Sequence, residues 1–222
     1  MMRIGLFGGT FNPVHCGHLE VARDVLADLR LDQVVFIPAA YPPHKVPDWV
    51  AAAQDRLAML ELALADRPYF SASDVELQRS GPSYTIDTVD YFKAHYYGQS
   101  DLFLIMGLDA FLEIDTWKSY EALFKAIPMV VMSRPDKGQQ TPANPRKQIE
   151  TYLQTTISNS FHYSLEYQRF MHPLYQPVIP LAVTALAISA THIRERLHGN
   201  QSIQSLVPAG VAAYIKKRGL YR

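Results

Sequence analysis

Short apolar runs alternate with stretches of helical periodicity along most of this chain, and the alternation limits the folds it can adopt. The apolar runs cover residues 3–7, 33–38, 69–72, 102–106, 129–133 and 179–188. Helical patterns begin near His18, Val50, Thr85, Ser119, Thr191 and Ala209. Near-continuous apolar strands separated by helices are typical of a parallel sheet covered on both faces. We therefore predict an α/β fold with a doubly wound, Rossmann-like parallel sheet and helices on both faces.

One region, near residues 136–178, departs from this rhythm. It opens with the polar sequence PDKGQQTPANP and continues with tyrosines and histidines. We predict a long surface excursion or small lobe, with one helix near residues 146–154. Its aromatic residues are expected to pack within that lobe rather than to bind a ligand. We expect residues 1–222 as a whole to form a single domain.

The balance of charges argues against a polyanionic partner. Lys and Arg number 21, Asp and Glu also number 21, and the formal net charge is zero. Because proteins that bind nucleic acid usually carry a basic surplus, we expect no nucleic-acid partner. Any site for a phosphate-rich ligand must then be a local cluster of basic residues.

The sequence also predicts a soluble protein of the cytoplasm, without a membrane partner. No segment approaches the roughly 20 apolar residues that a membrane helix needs. The start of the chain is typical of a strand and a glycine turn rather than of a signal peptide. The single cysteine, Cys16, excludes an internal disulfide, which suits a reducing compartment.

The first predicted strand runs directly into the glycine turn at residues 8–10, and a helix follows near His18. A strand, a tight glycine turn and a helix N-terminus together form an anion site, because the N–H groups of the first helical turn lack partners within the helix. The turn is neither GxGxxG nor GxxxxGK[ST]. The pattern HxGH adds specificity, since His15 and His18 can both point at the anion and Gly17 leaves space between them.

The sequence HCGH admits other interpretations. A structural zinc site needs four ligands, and the neighbouring sequence has neither a second cysteine nor an HxxxH partner. A nucleophilic Cys16 would need an acyl-transfer constellation, which is not apparent. Two histidines that are simply satisfied within a turn remain an alternative. We favour the anion site and expect no metal held by the protein.

A second segment repeats this architecture in ISATHIRERL, residues 188–197. An apolar strand leads to the hydroxyl groups of Ser189 and Thr191, which are typical of helix caps, and then to Arg194 one turn into a helix. Hydroxyl groups, free N–H groups and a guanidinium fork can together bind phosphate. In isolation, the segment is better explained as a capped helix with a solvated arginine.

At these two motifs the chain resembles the HxGH nucleotidyltransferase superfamily, whose signatures are GxFDPxHxGH and ISSTxIR. More closely, it is similar to the bacterial nicotinate-nucleotide adenylyltransferases of NAD biosynthesis. Matching stretches are YPPHK, SYTIDTVDYF, MGLDAFLEIDTW, VMSRP and KKRGLYR, so the resemblance covers most of the chain outside residues 136–178. Asn12 stands where many members carry Asp, and Ala190 replaces a Ser or Thr. We expect Asn12 still to brace the turn through its carbonyl oxygen.

The resemblance implies an enzyme that joins nicotinate mononucleotide and ATP, giving nicotinate adenine dinucleotide and pyrophosphate. ATP is then a co-substrate, and Mg²⁺ arrives with it rather than at a dedicated protein site. The substrates are small molecules, and a homo-oligomer is left open. Preference for nicotinate over nicotinamide mononucleotide rests on the resemblance alone.

The resemblance also implies roles for individual residues. Catalysis is expected from His15, His18 and Arg194. Residues expected to bind ATP are Gly8, Gly9, Thr10, Phe11, His15, His18, Gly107, Asp109, Ile188, Ser189, Thr191 and Arg194. Residues expected to bind nicotinate mononucleotide are Lys45, Tyr84, Thr85, Trp117 and Arg134.

Some of these expectations have alternatives. Asp109 would also suit a helix N-cap, and Trp117 would also suit packing. At the level of function, the alternatives are another member of the superfamily, such as a pantetheine-phosphate adenylyltransferase, or a nucleotide-sensing module without catalytic activity.

Replacing Cys16 tests the thiol and metal interpretations directly. We expect Cys16→Ser to turn over at nearly the parent rate, because the superfamily motif leaves this position open. Initial rates of pyrophosphate release, together with the zinc content of the purified parent protein, measure this. Loss of activity in the variant, or bound zinc in the parent, would restore one of the two interpretations.

Overall fold

The computed structural model describes residues 1–41, 50–96, 98–133, 144–184 and 186–221. Its strands are β1 (Met2–Gly9), β2 (Gln33–Pro38), β3 (Phe70–Ala72), β4 (Ser100–Gly107), β5 (Met129–Ser133), β6 (His162–Ser164), β7 (Arg169–Met171) and β8 (Val178–Ala182). Its α-helices are α1 (Cys16–Asp28), α2 (Ala53–Leu64), α3 (Thr85–His95), α4 (Leu108–Phe111), α5 (Tyr120–Ala126), α6 (Pro145–Tyr152), α7 (Ala190–His198) and α8 (Ala209–Arg218). Within these ranges, every helix is too short or too polar to span a lipid bilayer.

In the described part of the chain the strands form one sheet in the order β3-β2-β1-β4-β5-β8-β7-β6. Strands β1 to β5 and β8 are parallel, whereas β6 and β7 form an antiparallel hairpin beside β8. Strands β2 and β3 lie on one side of β1. Strand β4 pairs with the other side of β1, and β5 and β8 follow outward from β4. This confirms the predicted α/β fold with a mostly parallel sheet. The strand order reverses between β1 and β4, which is where ligands bind in open sheets of this kind.

Alternating side chains of the central strands enter two hydrophobic cores, one on each face of the sheet. In β4, Phe103 and Ile105 join one core, while Leu104 and Met106 join the other. Residues of α1, α2, α7 and α8 complete the first core, and residues of α3, α5 and α6 complete the second. Burial of apolar surface, which stabilises the fold by about 25 cal/mol per Å², therefore holds helices on both faces of the sheet.

The segment near residues 136–178 differs from the expected surface excursion where it is described. Helix α6 begins at Pro145, close to the predicted position, but the hairpin β6–β7 extends the central sheet. Phe161 and Phe170 are buried in the second core. The short strands β6 and β7 mix polar and apolar residues and form no apolar run, which is why the sequence did not indicate them. The strand predicted over 179–188 also ends earlier, at Ala182.

A buried arginine joins three loops at the carboxyl edge of the sheet. Arg56, in α2, is 1% exposed. Its guanidinium donates to the carbonyl oxygens of Thr10 (2.8 Å), Ala40 (3.2 Å) and Ala51 (2.9 Å). These carbonyls follow β1, follow β2 and precede α2, so one side chain fixes the relative positions of all three loops. Burial lowers the pKa of Arg56, and the nearby Tyr221 and Glu76 oppose that change.

Helix α8 is attached to α2 through the neighbouring residue. Asp55 is 7% exposed, and its Oδ1 accepts hydrogen bonds from the Tyr214 hydroxyl at 2.8 Å and from Arg218 Nε at 3.1 Å. After α8 the chain reverses at Gly219, whose φ of 63° lies in the left-handed region that favours glycine. The reversal carries Tyr221 back toward the loop that follows β1.

Replacing Arg56 tests whether its hydrogen bonds stabilise the fold. We expect Arg56→Met to lower the free energy of unfolding by about 2–4 kcal/mol, because three partly buried carbonyl groups lose their donor. Denaturant titration would measure this. Arg23→Met is the matched control, since Arg23 is exposed and pairs with Glu20 at the surface; it should change stability by less than about 0.5 kcal/mol. Equal effects of the two substitutions would contradict the role given to Arg56.

Candidate active site

The turn after β1 is fixed by the packing of an aromatic ring against a glycine. A Cβ atom on Gly9 would lie 3.0 Å from the ring of Phe11, so a side chain at that position would crowd the ring. Phe11 has a φ of 47° and is 2% exposed, and its ring packs edge-on against His18 with centroids 5.1 Å apart. Its side chain therefore belongs to the core, and only its main chain remains for the ATP contact expected of it.

His15 and His18 form a stacked pair at the N-terminus of α1. Their ring centroids are 3.6 Å apart with an interplanar angle of 27°, and His18 Nδ1 accepts a hydrogen bond from the main-chain N–H of His15 at 3.2 Å. His15 is 2% exposed, whereas His18 is half-buried. The pair thus stands at the positive end of the helix dipole, with His18 as its more accessible member.

Gly17 makes this pairing possible, as its place between the histidines predicted. A Cβ atom there would lie 3.0 Å from Nδ1 of the His15 ring and 3.7 Å from the carbonyl oxygen of Ile188. The first contact is tighter than ordinary van der Waals distance. The second shows that the start of α1 lies against the segment leading into α7, so the two motifs are neighbours in space.

Arg194 connects the late motif to the early one. Its Nη1 donates to the carbonyl oxygen of Asn12 at 2.8 Å, and its Nη2 donates to the Thr191 hydroxyl at 3.1 Å. Ser189 is the N-cap of α7, where its hydroxyl oxygen accepts from the N–H of His192 at 3.1 Å. The predicted cap is therefore present, and Arg194 turns toward the HxGH loop.

Asn12 braces this loop through its side-chain oxygen, as expected. Its Oδ1 accepts from the N–H of Ala51 at 3.0 Å and from the Tyr221 hydroxyl at 2.7 Å. Asn12 is 5% exposed. Burial raises the pKa of Tyr221, although Arg56 and Arg194 oppose that rise, so the hydroxyl stays protonated and donating at neutral pH.

A cavity of about 360 Å³ opens beside the glycine turn. It unites residues from several separate parts of the chain, and its size and arrangement are usual for small-molecule sites. The glycine turn and the end of β4 form one side, and the start of α3 and the segment around Trp117 form the other. Predicted residues that line it are Gly8, Gly9, Thr10, Tyr84, Thr85, Gly107 and Trp117.

Two charged side chains that line this cavity, Lys118 and Glu76, were not predicted from the sequence. The ammonium group of Lys118 lies 4.4 Å from the centre of the Tyr84 ring and 3.4 Å from Asp87 Oδ2. The carboxylate of Glu76, 8% exposed, accepts from the Thr88 hydroxyl at 2.7 Å and lies 3.8 Å from Arg79. Lys118 and Glu76 thus bring one charge of each sign to the cavity wall, and each is paired with a neighbouring side chain.

The carboxylate of Asp109 folds back over the end of β4. Gly107 is the N-cap residue of α4 and Asp109 is the second residue of that helix, so Asp109 does not take the capping position. A Cβ atom on Gly107 would lie 2.5 Å from Asp109 Oδ1, so a side chain at position 107 would displace this carboxylate. Lys45 and Arg134, both expected to bind nicotinate mononucleotide, lie outside the described residues.

Cys16 lies at the first position of α1, where its main-chain N–H donates to the carbonyl oxygen of Leu206 at 2.9 Å. Burial raises the pKa of its thiol despite the nearby charge of Arg67. A raised pKa disfavours the nucleophilic thiolate at neutral pH. Among the residues that the structure describes, three or more His, Cys, Asp or Glu side chains nowhere gather in a way that would hold a metal ion.

Sequence reasoning missed Arg56 and Tyr221. These two residues support the site through hydrogen bonds to Thr10 and Asn12. Arg56 could have been noticed as a charged residue on the apolar side of a helical stripe that includes Leu60 and Ala63. Tyr221 lies in the sequence KKRGLYR, which carried part of the resemblance without indicating what the tyrosine contacts.

Comparisons with known proteins cover the whole chain. Residues 6–196 match the family model described as cytidylyltransferase-like. A probable nicotinate-nucleotide adenylyltransferase of Desulfatibacillum aliphaticivorans is 41% identical over 222 residues, covering 99% of this chain and 100% of the relative. A protein of the same name from Thermus thermophilus is 42% identical over 221 residues, covering 100% of both.

A solved structure of nicotinic acid mononucleotide adenylyltransferase from Plasmodium falciparum, complexed with NaAD, shares the fold. Its TM-score is 0.71 at 17% identity, with 100% of this chain and 98% of that chain covered. Because relatives of about 40% identity extend along its whole length, the chain belongs to the cytidylyltransferase-like family and, within it, to the nicotinate-nucleotide adenylyltransferases.

Proposed function

We propose that this chain joins nicotinate mononucleotide to the adenylyl group of ATP, releasing pyrophosphate and forming nicotinate adenine dinucleotide for NAD biosynthesis. The names of its full-length relatives support the reaction. The observation that carries the proposal is the 2.8 Å hydrogen bond from Arg194 to the carbonyl oxygen of Asn12. This hydrogen bond joins the HxGH loop to the late motif, which supports the proposal that the two motifs bind phosphate together.

The chemistry needs positioning and charge neutralisation more than a covalent intermediate. The phosphate of the mononucleotide is already ionised at neutral pH and attacks the α-phosphorus of ATP in line, while pyrophosphate leaves with the growing negative charge. Two polyanions must therefore be held together, and preorganised cationic groups stabilise the transition state. MgATP is the substrate form, with the metal coordinated mostly by phosphate oxygens and water.

We assign the triphosphate to the region between the two motifs. Arg194 would neutralise its charge, and His18, whose Nδ1 accepts from the His15 N–H, would donate a hydrogen bond from Nε2. The N-terminus of α1 would add the helix dipole, worth about 0.3–1 kcal/mol. His15, stacked beneath His18, would act closest to the α-phosphate. The remaining ATP contacts that we propose are Gly8, Gly9, Thr10, the main chain of Phe11, Gly107, Asp109, Ile188, Ser189 and Thr191.

We assign nicotinate mononucleotide to the cavity of about 360 Å³. Trp117 lines it and would stack on the pyridine ring. Thr85 is the first residue of α3, and the N–H groups there would receive the carboxylate, since the first turn of a helix lacks internal acceptors for them. Tyr84 lines the same wall, and Lys45 and Arg134 complete the proposed set.

We further propose that the protein works in the cytoplasm on small molecules, without nucleic-acid or membrane partners. A homo-oligomer is compatible with this function, and the elution volume on gel filtration would measure it. The assignment of residues 1–222 to one nucleotidyltransferase domain is likewise a proposal, supported by the single sheet that joins β1 to β8 in the described ranges.

A side-by-side assay of three acceptors tests the proposed reaction. We expect pyrophosphate release from ATP to depend on nicotinate mononucleotide and to be much slower with nicotinamide mononucleotide or phosphopantetheine. Turnover with phosphopantetheine alone would favour a pantetheine-phosphate adenylyltransferase. Binding of ATP and mononucleotide without turnover would favour a sensing module, and equal rates with the two mononucleotides would contradict the preference for the acid.

Replacing His18 tests the phosphate-binding site. We expect His18→Ala to lower kcat/KM by about 10²-fold or more, because a preorganised donor to the transition state is lost. Single-substrate titrations of initial rate would measure it, with circular dichroism to compare the folds. His162→Ala is the matched control, since His162 is exposed on the β6–β7 hairpin, and it should keep the parent rate. A His18 variant of near-normal activity would refute the assignment.

A further inference from the structure

The loop between the glycine turn and α1 receives hydrogen bonds from several parts of the chain at Asn12. On one side, Oδ1 accepts from the N–H of Ala51 and from the Tyr221 hydroxyl. On the other side, the main-chain oxygen accepts from Arg194. Asn12 therefore lies between a tyrosine that follows α8 and the arginine of the late motif, so these two side chains contact opposite ends of one residue.

We propose that Tyr221 is a positioning residue for ATP, which acts through Asn12 to set the location of the Arg194 guanidinium. The inference rests on the proposed function, in which Arg194 binds the triphosphate. Tyr221 lies outside both motifs, 209 residues from Asn12, and nothing in the HxGH pattern requires it.

The geometry supports a directed contact rather than general packing. The distance of 2.7 Å between the Tyr221 hydroxyl and Asn12 Oδ1 is shorter than the 3.0 Å from the Ala51 nitrogen to the same oxygen, and it falls at the usual length for a hydroxyl donor. The second donor, Ala51, is itself held from its carbonyl side by the buried Arg56 at 2.9 Å. Asn12 Oδ1 thus accepts hydrogen bonds from two donors that are themselves held in place. These two bonds orient the Asn12 side chain and, with it, the Asn12 main chain.

The position of the Arg194 guanidinium depends on the orientation of the Asn12 main chain, because its hydrogen bonds go to two different parts of the chain. One guanidinium nitrogen binds the Asn12 carbonyl oxygen, and the other binds the Thr191 hydroxyl on its own helix. The Asn12 contact is the one that reaches across to the HxGH loop. If Asn12 moves, the guanidinium can follow Thr191 and turn away from the start of α1, which is where the triphosphate is proposed to lie.

Tyr221 itself is held in place by the chain reversal after α8. Gly219 has a φ of 63°, and the N–H of Leu220 donates to the carbonyl oxygen of Ile215 at 3.1 Å. Leu220 and Tyr221 pack against the first hydrophobic core. The hydroxyl is therefore presented to Asn12 by a rigid helix end rather than by a free segment.

The experiment compares Tyr221→Phe with Tyr214→Phe. Both remove one hydroxyl donor from the same C-terminal region, but the Tyr214 hydroxyl binds Asp55 on α2 rather than the HxGH loop. We expect Tyr221→Phe to lower kcat/KM for ATP by about 3- to 10-fold, the effect of one hydrogen bond, and to weaken equilibrium ATP binding similarly. KM for nicotinate mononucleotide should stay within about 2-fold, and Tyr214→Phe should leave the ATP constants unchanged.

A double-mutant cycle with Arg194→Lys separates positioning from general stability. If Tyr221 acts through Arg194, Tyr221→Phe should change ATP binding by less than about 2-fold once Arg194 is replaced, because coupled residues are not additive. Fully additive effects, equal effects of the two Tyr→Phe variants, or a matching rise in KM for the mononucleotide would each overturn the proposal.

The outcome is distinguishable from failure of the proposed function. If the parent protein shows no turnover with nicotinate mononucleotide, the proposed reaction fails. The ATP-binding arm of the cycle still decides whether Tyr221 positions Arg194. If the parent turns over and the cycle is additive, the reaction stands and the role of Tyr221 does not.

Discussion

Three main-chain carbonyl groups accept hydrogen bonds from the buried Arg56 guanidinium, and the arrangement of the site depends on that interaction. A parallel sheet places the carboxyl ends of β1 and β2 at one edge, but the loops that leave them are free to diverge. Arg56 ties Thr10, Ala40 and Ala51 to one planar group. The carbonyl dipoles thereby stabilise the charge of Arg56, a residue that is only 1% exposed. The hydrogen bonds of this charged group in turn fix the loops.

The electrostatic problem of the proposed reaction is solved locally, since the chain as a whole carries no net charge. Three groups lie around the loop between the glycine turn and α1: the N-terminus of α1, the half-buried His18 and the guanidinium of Arg194. Lys118 lies at the cavity wall. Each group alone contributes little in water. In the proposed site they would act together at a partly buried edge, where the effective dielectric constant is lower and each contribution is larger.

Much of the fold could be predicted because its strands are long and buried on both sides. The predicted bounds of β2 and β5 agree with the structure, and a side chain at Gly17 would crowd the His15 ring, as its place between the histidines suggested. The β6–β7 hairpin was not predicted, because its short strands mix polar and apolar residues and form no apolar run. Arg56 was missed for a different reason: a charged residue normally indicates an exposed position, and only three-dimensional packing shows which carbonyl groups surround it.

The hydrogen bonds of Asn12 also have a consequence for how the protein is made. Its partners Arg194 and Tyr221 lie 182 and 209 residues later in the chain. At about 5–20 residues per second, a ribosome needs on the order of 10–40 s to supply them after Asn12 has emerged. During that interval the early strands can begin to pack, but the HxGH loop cannot yet reach its final arrangement. The first core also needs residues of α7 and α8, whereas the buried residues of the second core end at Val178. A nascent chain is therefore expected to form the second core before it can hold a nucleotide.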